Sequence, residues 1–244
     1  MDYKNVFYPE SKFGGFSSVD GTVAFYSRVN ALLCPGFVLL DYGCGRGALA
    51  NDPLPYRRSL RNFKGRAARV IGLDLSPLAA NNPFIDEFHL LETTRWPLDD
   101  HSVDLCTCDS VLEHVEFPDV FFAEARRTLK PGGFLCMRTS NLWGYPALIS
   151  RLLPNRSHLG VLKRVKPNVI EQDIFPTFYR CNTLPALRRS LGKNGFEHAV
   201  YGYATEPSYL SFSAVTYWLG TLYQKLAPSF FQPVIFGFGR ASSS

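Results

Sequence analysis

Short apolar runs alternate with amphipathic stretches along most of the chain. Runs bounded by glycine, proline or serine are typical of strands that are buried on both faces of a parallel sheet. Seven such runs predict strands at residues 37–41, 69–74, 88–91, 103–108, 133–138, 196–203 and 234–238. Because helical patterns separate most of them, we expect an α/β fold. This fold is a Rossmann-like three-layer sandwich around a mostly parallel seven-stranded sheet with an antiparallel last strand.

Three helical patterns have recognisable ends. Residues 19–33 contain Asp20 or Thr22 as the cap, and residues 117–129 carry basic side chains near their end. Residues 183–194 are expected to begin after Asn182 as the cap and to end at Gly195. After the first strand, two prolines interrupt the expected helix, so we predict a short helix after Gly47 and a second piece at residues 56–62.

We expect one domain across residues 1–244. Residues 1–34 would form an N-terminal helical lid, and residues 35–140 the cofactor-binding core. Residues 141–182 would be a substrate-specificity insertion, because long connections of this kind are usually functional. Residues 183–244 would supply the C-terminal helices and the last strands.

The charge of the chain is mildly basic, at +5 with a pI near 8.9. This is less than a dedicated nucleic-acid binder usually carries, so no nucleic-acid partner is expected. The basic stretch 151–166 is consistent with a solvated face, with an anionic substrate, or with an anionic membrane surface. Residues 209–226 are apolar and aromatic but interrupted by polar side chains, which leaves three interpretations: a packed or lid helix, an interfacial helix, or a membrane span.

The six cysteines form no Cys-x-x-Cys pair, and two of them alternate along an apolar strand. We therefore predict reduced, structural thiols and no metal site. The first residues, Met1 to Asn5, lack the apolar core of a secretory signal. Together these features predict a cytoplasmic protein, and peripheral contact with the inner face of a membrane remains open. The oligomeric state cannot be read from the sequence.

A glycine turn follows the first strand, at the edge of the sheet where such folds bind ligands. Gly43, Gly45 and Gly47 allow positive φ and a close approach of the backbone to a ligand. The same spacing also fits a dinucleotide fingerprint, so the glycines alone do not choose the cofactor. Asp41 favours a cofactor that bears an ammonium and a sulfonium, because a carboxylate here would repel a pyrophosphate.

Five segments in this order resemble the motifs of class I S-adenosylmethionine-dependent methyltransferases, of the type 11 kind. They are Val38–Gly47, Val70–Pro77, Trp96–Asp104, Leu112–Val115 and Leu129–Phe134. The resemblance covers about residues 37–140 and implies S-adenosylmethionine as the cofactor. It also implies roles for individual residues.

By this resemblance, the methionine end of the cofactor would be held by Asp41 and the turn Gly43-Cys44-Gly45, with Gly47 closing the turn. Asp74 would bind the ribose and Leu75 the adenine, with Glu92 and Thr93 near the adenine amine. The family usually has Asp where this chain has Glu92. Asp109 and Ser110 would face the methionine moiety and the acceptor. The candidate catalytic residues are His114 and Asp109, and the candidate substrate residues are Tyr179 and His158.

The function predicted from these features is methyl transfer, with O-methylation of a small molecule or glycan favoured. The glycan could be lipid-linked or a cell-surface polysaccharide precursor. No Asn-Pro-Pro-Tyr-like signature, which would favour amide or exocyclic amine methylation, follows the fourth strand. Two alternatives remain open: an NAD(P)-dependent oxidoreductase, and a non-catalytic scaffold that binds S-adenosylmethionine.

Overall fold

A computed structural model describes residues 3–152 and 176–242 of the chain. Within these ranges, seven strands form one sheet in the order β3-β2-β1-β4-β5-β7-β6. The strands are β1 Val38–Tyr42, β2 Arg69–Asp74, β3 Glu87–Leu90, β4 Val103–Asp109, β5 Leu129–Ser140, β6 Phe196–Tyr203 and β7 Val234–Ala241. Strands β1 to β5 pair in parallel, and β7 is antiparallel to both of its neighbours. The predicted fold class and its antiparallel last strand are therefore confirmed.

Helices lie on both faces of the sheet. Their bounds are α1 Tyr3–Phe7, α2 Gly21–Leu32, α3 Pro55–Arg61, α4 Pro118–Thr128, α5 Tyr145–Leu152, α6 Leu184–Lys193 and α7 Ala214–Leu226. One face packs against α4 and α6, and the other against α2. Successive strand residues alternate between the two faces: Leu39 contacts the α2 side, whereas Leu40 contacts the α4 side. This alternation produces the three layers.

The N-terminal helix α2 is part of the core. Phe25 and Val29 are fully buried against the sheet, and Asp20 caps the helix by accepting hydrogen bonds from the amides of Thr22 and Val23. The predicted cap at Asp20 is confirmed. Burial of this face makes α2 a fixed layer of the domain. A lid role for residues 1–34 thus remains a prediction that only the segment before α2 could fulfil.

Two local predictions were wrong. Thr183, and not Asn182, caps α6, because its hydroxyl accepts a hydrogen bond from the amide of Ala186. The Asn182 amide instead donates to Thr139 Oγ1 at 2.6 Å. The fifth strand, predicted to start at residue 133, begins at Leu129, so that residues 130–132 are also part of β5. There the register against β4 shifts in a bulge.

The apolar C-terminal segment forms α7 from Ala214, with Ser213 as its cap. None of the described helices combines the length and the apolar character that crossing a bilayer requires. Of the expected insertion, residues 153–175 lie outside the described ranges, and His158 with them.

Candidate cofactor and acceptor site

The candidate site lies at the carboxyl ends of β1, β2 and β4. Strand β1 has β2 on one side and β4 on the other, so the strand order reverses between β1 and β4. In open α/β sheets, such a reversal leaves a crevice in which ligands bind. The register sets Asp41 of β1 beside Gly72 of β2 and Thr107 of β4. The glycine turn after β1 therefore opens into this crevice.

The glycine turn uses each glycine differently. Gly43 has φ +74°, and a Cβ there would lie 2.3 Å from Val111 Cγ2. Gly45 has φ +54°, yet no heavy atom lies within 4 Å of where its Cβ would be. Its amide donates to Asp74 Oδ2 at 2.9 Å. Gly43 is therefore required by protein packing, whereas Gly45 borders open space beside Asp74.

Asn82, which is not part of the glycine turn, holds the turn in place through hydrogen bonds. This residue was not identified from the sequence. This side chain is almost fully buried, and its amide donates to the carbonyls of Cys44 and Gly45 at 2.9 and 3.2 Å. A Cβ on Gly47, with φ +79°, would lie 2.9 Å from Asn82 Oδ1. A Cβ on Gly72 would lie 2.7 Å from Cys44 Sγ, so the thiol points toward β2 and Cys44 offers the site its backbone.

Asp41 is a partly buried carboxylate that accepts a hydrogen bond from Thr107 Oγ1 at 2.9 Å. Burial raises the pKa of Asp41 to about 6, although the hydrogen bond from Thr107 lowers it, and the nearby charge of Asp109 raises it further. A cationic ligand beside this carboxylate would stabilise its charged form. An ammonium group fits this requirement and a phosphate does not.

The opposite end of the crevice carries the residues predicted to contact ribose and adenine. Asp74 receives the amides of Gly45 and Ser76, at 2.9 and 2.8 Å, which orients its carboxylate. A carboxylate has about four acceptor positions, so two remain for a diol. The Leu75 side chain is 62% exposed at the end of β2, an apolar surface of the kind a purine ring covers. Glu92 and Thr93 are exposed beyond β3.

Asp109 ends β4 in a buried ion pair with Arg138. Burial alone would raise the pKa of Asp109, but the charge and hydrogen bonds of Arg138 lower it below its usual value. Tyr26 donates to Asp109 Oδ2 at 2.8 Å, and Arg138 Nη1 donates to Thr22 Oγ1 at 2.9 Å. Asp109 therefore ties α2 to β4 and β5. This arrangement supports a positioning role better than the general-base role, which remains untested.

Ser110 has a positive φ of 59°, is exposed, and donates to Asp109 Oδ1 at 3.2 Å. Its backbone amide donates to the carbonyl of Arg138 at 2.8 Å. The chain thus turns sharply as it leaves β4, and the Ser110 side chain stands at the mouth of the crevice. Its predicted contact with cofactor and acceptor is compatible with this place.

Glu113 and His114 hold the segment that follows the undescribed residues. The Glu113 carbonyl accepts the amides of Phe178 and Tyr179, at 2.8 and 3.2 Å, and His114 Nδ1 lies 2.8 Å from the Pro176 carbonyl. Tyr179 has φ +51°, an unusual backbone conformation for a tyrosine. The structure therefore brings His114 and Tyr179 together beside β4 and β5.

The Glu113 carboxylate is buried and accepts hydrogen bonds from Thr139 and Ser140, at 2.7 and 3.2 Å. In the sequence, Glu113 was noted only as part of the segment Leu112–Val115. In the structure, its carboxylate is the centre of a polar cluster. Within the described residues, no group of three or more His, Cys, Asp or Glu side chains has a geometry that could hold a metal ion.

Fold and site together define an α/β protein with a crevice at the switch point of its sheet, bordered by Asp41, the glycine turn and Asp74. Residues 40–137 match the family model described as a methyltransferase domain. Among curated proteins, the chain is 30% identical over 152 residues to the ubiquinone biosynthesis O-methyltransferase of Thiobacillus denitrificans, covering 54% of this chain and 60% of that protein. It is 37% identical over 111 residues to a 37.1 kDa protein of a Streptomyces fradiae transposon, covering 42% and 30%. The chain thus spans 30% and 60% of the length of these two relatives.

Two solved structures share the fold over nearly the whole chain. A S-adenosylmethionine-dependent methyltransferase from Archaeoglobus fulgidus aligns with a TM-score of 0.56 at 16% identity, covering 98% of this chain and 100% of that one. The [4+2]-cyclase SpnF aligns with a TM-score of 0.56 at 20% identity, covering 91% and 81%. At this identity the likeness shows the fold alone.

Residues 40–137 therefore match a methyltransferase domain, and in this part the chain is similar to S-adenosylmethionine-dependent methyltransferases. This confirms the family resemblance found in the sequence. S-adenosylmethionine, the predicted cofactor, is the cofactor of this class.

Proposed function

We propose that the chain transfers a methyl group from S-adenosylmethionine to an oxygen of a small-molecule or glycan acceptor. The observation that carries the proposal is the partly buried carboxylate of Asp41 at the end of β1, followed by a turn in which Gly45 borders open space, at the switch point of the sheet. A cofactor fits this crevice if its positive charge neutralises Asp41 at one end and its ribose reaches Asp74 at the other. The similarity to O-methyltransferases supports oxygen as the acceptor atom.

The residues present fit the cofactor. Asp41 would hold the ammonium group of the methionine end, with the backbone of the Gly43–Gly45 turn alongside it. Asp74 would hold the ribose hydroxyls, and the exposed Leu75 would cover one face of the adenine. When bound, the cofactor supplies a methyl group that is already activated on a sulfonium. The protein has then to place the acceptor oxygen in line with it and to exclude water.

A hydroxyl acceptor normally needs a base to remove its proton. Within the described residues, the candidate base is His114. Its hydrogen bond to the Pro176 carbonyl fixes the ring at the carboxyl edge of β4 and β5. The low pKa and the ion pair of Asp109 make that carboxylate a weak proton acceptor. We therefore propose His114 as the base, and Asp109 as the group that positions Tyr26 and Ser110. Tyr179 is proposed to border the acceptor.

We further propose that the protein acts in the cytoplasm, with its cysteines reduced. All six cysteines are free, and four of them are buried. Disulfides are rare in reducing compartments, so this thiol content suits the cytoplasm. No dedicated nucleic-acid partner is proposed.

Cofactor binding is tested by calorimetry of the purified chain with S-adenosylhomocysteine and, separately, with NAD⁺. We expect saturable binding of the first and none of the second. Asp41→Asn should lose most of that affinity, whereas Asp119→Asn, at an exposed acid on α4, should keep it. Binding of NAD⁺ alone would reverse the assignment and favour an oxidoreductase.

Methyl transfer is tested with S-adenosylmethionine that carries an isotopic label in its methyl group. Small-molecule and glycan fractions are offered as acceptors, and the label is followed into product by mass spectrometry. We expect an O-methylated product that Asp41→Asn fails to form. Tight cofactor binding without label transfer to any fraction would favour the scaffold alternative.

A further inference from the structure

The helix α7, Ala214–Leu226, turns polar side chains inward as well as an aromatic one. Its inward face buries Thr221 and Gln224 beside Tyr217 and Gly220. Gln224 Oε1 accepts the Tyr8 hydroxyl at 2.6 Å, and the Thr221 hydroxyl donates to the Trp218 carbonyl at 2.7 Å. Surface helices normally direct such side chains to water and apolar side chains to the core.

The outward face of α7 is apolar at helical spacing. Five exposed side chains make up this face: Val215, Trp218, Leu219, Leu222 and Leu226. Their exposed fractions run from 39% for Leu222 to 71% for Leu226. Separations of three and four residues place them on one side of a helix. Within the described residues, these five side chains are therefore exposed to solvent.

Further aromatic side chains continue the apolar surface from this helix. Phe230 and Phe231 are exposed, with ring centroids 4.3 Å apart, and the Tyr223 hydroxyl of α7 donates to the Phe231 carbonyl. Trp143 lies edge-on to Phe230 at 6.4 Å. A contiguous exposed patch of this size marks an interaction site in soluble proteins. We call the five α7 side chains with Trp143, Phe230 and Phe231 the apolar face.

The charge of this region indicates which partner fits. The sequence of residues 207–239 contains no acidic side chain, and its one charged residue is Lys225. Residues 141–148 likewise contain no acidic side chain. Protein interfaces usually have a polar rim. A strip of tryptophan, leucine and phenylalanine that carries a lysine and no acid instead suits the boundary of an anionic bilayer.

We infer that the apolar face docks on an anionic lipid surface, with α7 lying parallel to that surface. A helix of 13 residues is about 20 Å long. This is short of the roughly 30 Å hydrocarbon core, so the helix fits the interface plane and not a span. Lys225 would contact the lipid headgroups, and the leucines and Trp218 would enter the acyl boundary.

The apolar face lies close to the carboxyl edge of the sheet. Asn141 directly follows β5, and its amide donates to the carbonyls of Phe230 and Gln232 at 2.8 and 2.7 Å. A docked protein would therefore bring that edge near the membrane, where a lipid-linked acceptor could reach it. This link to an acceptor rests on the proposed methyl transfer, whereas the docking does not.

The test is co-sedimentation of the full chain with vesicles of phosphatidylglycerol and phosphatidylcholine, and with vesicles of phosphatidylcholine alone. We expect binding to the anionic vesicles that weakens as salt is raised. The double variant Trp218→Ser with Leu222→Ser should lower the vesicle affinity at least about tenfold. The matched control is Phe117→Ser, which removes an exposed aromatic side chain from the start of α4. It should bind as the wild type does.

Tryptophan fluorescence gives a second measurement. Trp96 is buried, so a blue shift on adding anionic vesicles would report Trp143 and Trp218 entering an apolar phase. The proposal is overturned if no vesicle binds, if the double variant binds as the wild type does, or if Trp218 is already shielded and unaffected by vesicles. A dimer in sedimentation velocity that the double variant abolishes would instead assign the face to a second copy of the chain. Calorimetry with S-adenosylhomocysteine should be unchanged in all variants, which separates this outcome from a failure of the proposed function.

Discussion

Arg138 forms a bidentate ion pair with Asp109, with Nε 2.6 Å from Oδ1 and Nη2 2.7 Å from Oδ2. The pair joins the ends of β4 and β5, and the hydroxyls of Tyr26 and Thr22 extend it to α2. Paired, hydrogen-bonded charges of this kind are strongly destabilising to break, because removal of one partner leaves the other charge buried.

Arg138→Met should lower the free energy of unfolding by about 3–5 kcal/mol, since Asp109 would remain buried without a counter-ion. The double replacement Asp109→Leu with Arg138→Met should recover much of that loss, because no charge is then left inside. Urea denaturation of the purified proteins measures both values.

Lys193→Met serves as the control for that comparison, because its ion pair with Asp119 is exposed on both sides. We expect it to change the unfolding free energy by less than about 1 kcal/mol. If Lys193→Met and Arg138→Met lower the free energy of unfolding equally, burial of the Arg138 ion pair does not add to its effect on stability.

Cofactor affinity should depend on pH through Asp41. Its pKa of about 6 means that the carboxylate is mostly neutral at pH 5 and mostly ionised at pH 7, while an α-ammonium stays charged in that range. The dissociation constant of S-adenosylhomocysteine should therefore fall about tenfold between these pH values. Calorimetry at a series of pH values gives the profile.

Two variants test that assignment. Asp41→Asn should bind weakly and show a nearly flat profile. Thr107→Val removes the hydrogen bond that lowers the pKa of Asp41, so the midpoint of the profile should move to higher pH. A wild-type profile without a step between pH 5 and 7 would contradict the role given to Asp41.

The same shift in Asp41 has a consequence for stability in the absence of cofactor. A carboxylate whose pKa is raised on folding favours the folded state at low pH, and this contribution is lost as pH rises through about 6. Asp109 has the opposite sign, because its lowered pKa stabilises the fold above pH 4 and the benefit is lost in acid.

The glycines of the turn should separate folding from binding. Gly45→Ala should cost about 1–2 kcal/mol of stability for the positive φ, because its Cβ meets no atom, yet it should lose cofactor affinity. Gly65→Ala is a matched control, with φ +77° and equally open surroundings away from the site. It should lose similar stability and keep its affinity, as measured by thermal unfolding and calorimetry.

Gly43→Ala should be the more destabilising change, because its Cβ would overlap Val111. Combining it with Val111→Ala should restore part of the stability. If Gly45→Ala binds S-adenosylhomocysteine as well as Gly65→Ala does, the cofactor does not approach the backbone at Gly45.

The proposed base is tested by His114→Ala. For a hydroxyl acceptor we expect the rate of methyl transfer to fall by about 10²- to 10⁴-fold. The affinity for S-adenosylhomocysteine should stay the same, because cofactor and base act on different partners. His198→Ala, on β6, is the control and should leave both quantities unchanged. An unaltered rate of methyl transfer in His114→Ala would contradict the proposal that His114 is the base.

The strands and the glycine turn could be predicted because they depend on local patterns. Apolar runs between breakers located the seven strands, and the positions of Asp41 and Asp74 followed from the ends of two of these runs. The helix cap at Asp20 depends on neighbouring amides and was also predicted correctly. Asn182 was misassigned because its amide is used by Thr139, 43 residues away, which leaves the cap to Thr183.

The remaining features depend on contacts between distant segments. The bond between Arg138 and Asp109 spans 29 residues, and Asn82 reaches 38 residues back to Cys44. The one available signal for Arg138 was an arginine within an otherwise apolar strand, because a buried charge requires a partner. That observation predicts that a partner exists without identifying it.

The position of β7 between β5 and β6 affects how the chain can be made. As the polypeptide leaves the ribosome, β1 to β5 can pair soon after they emerge, but β6 has no partner until residues 234–241 follow it. The nascent chain therefore exposes the edges of β5 and β6 at a late stage of translation. Unpaired edges of this kind recruit other strands. We therefore expect wrong strand pairing to be most frequent before residues 234–241 have emerged and β7 has filled the gap between β5 and β6.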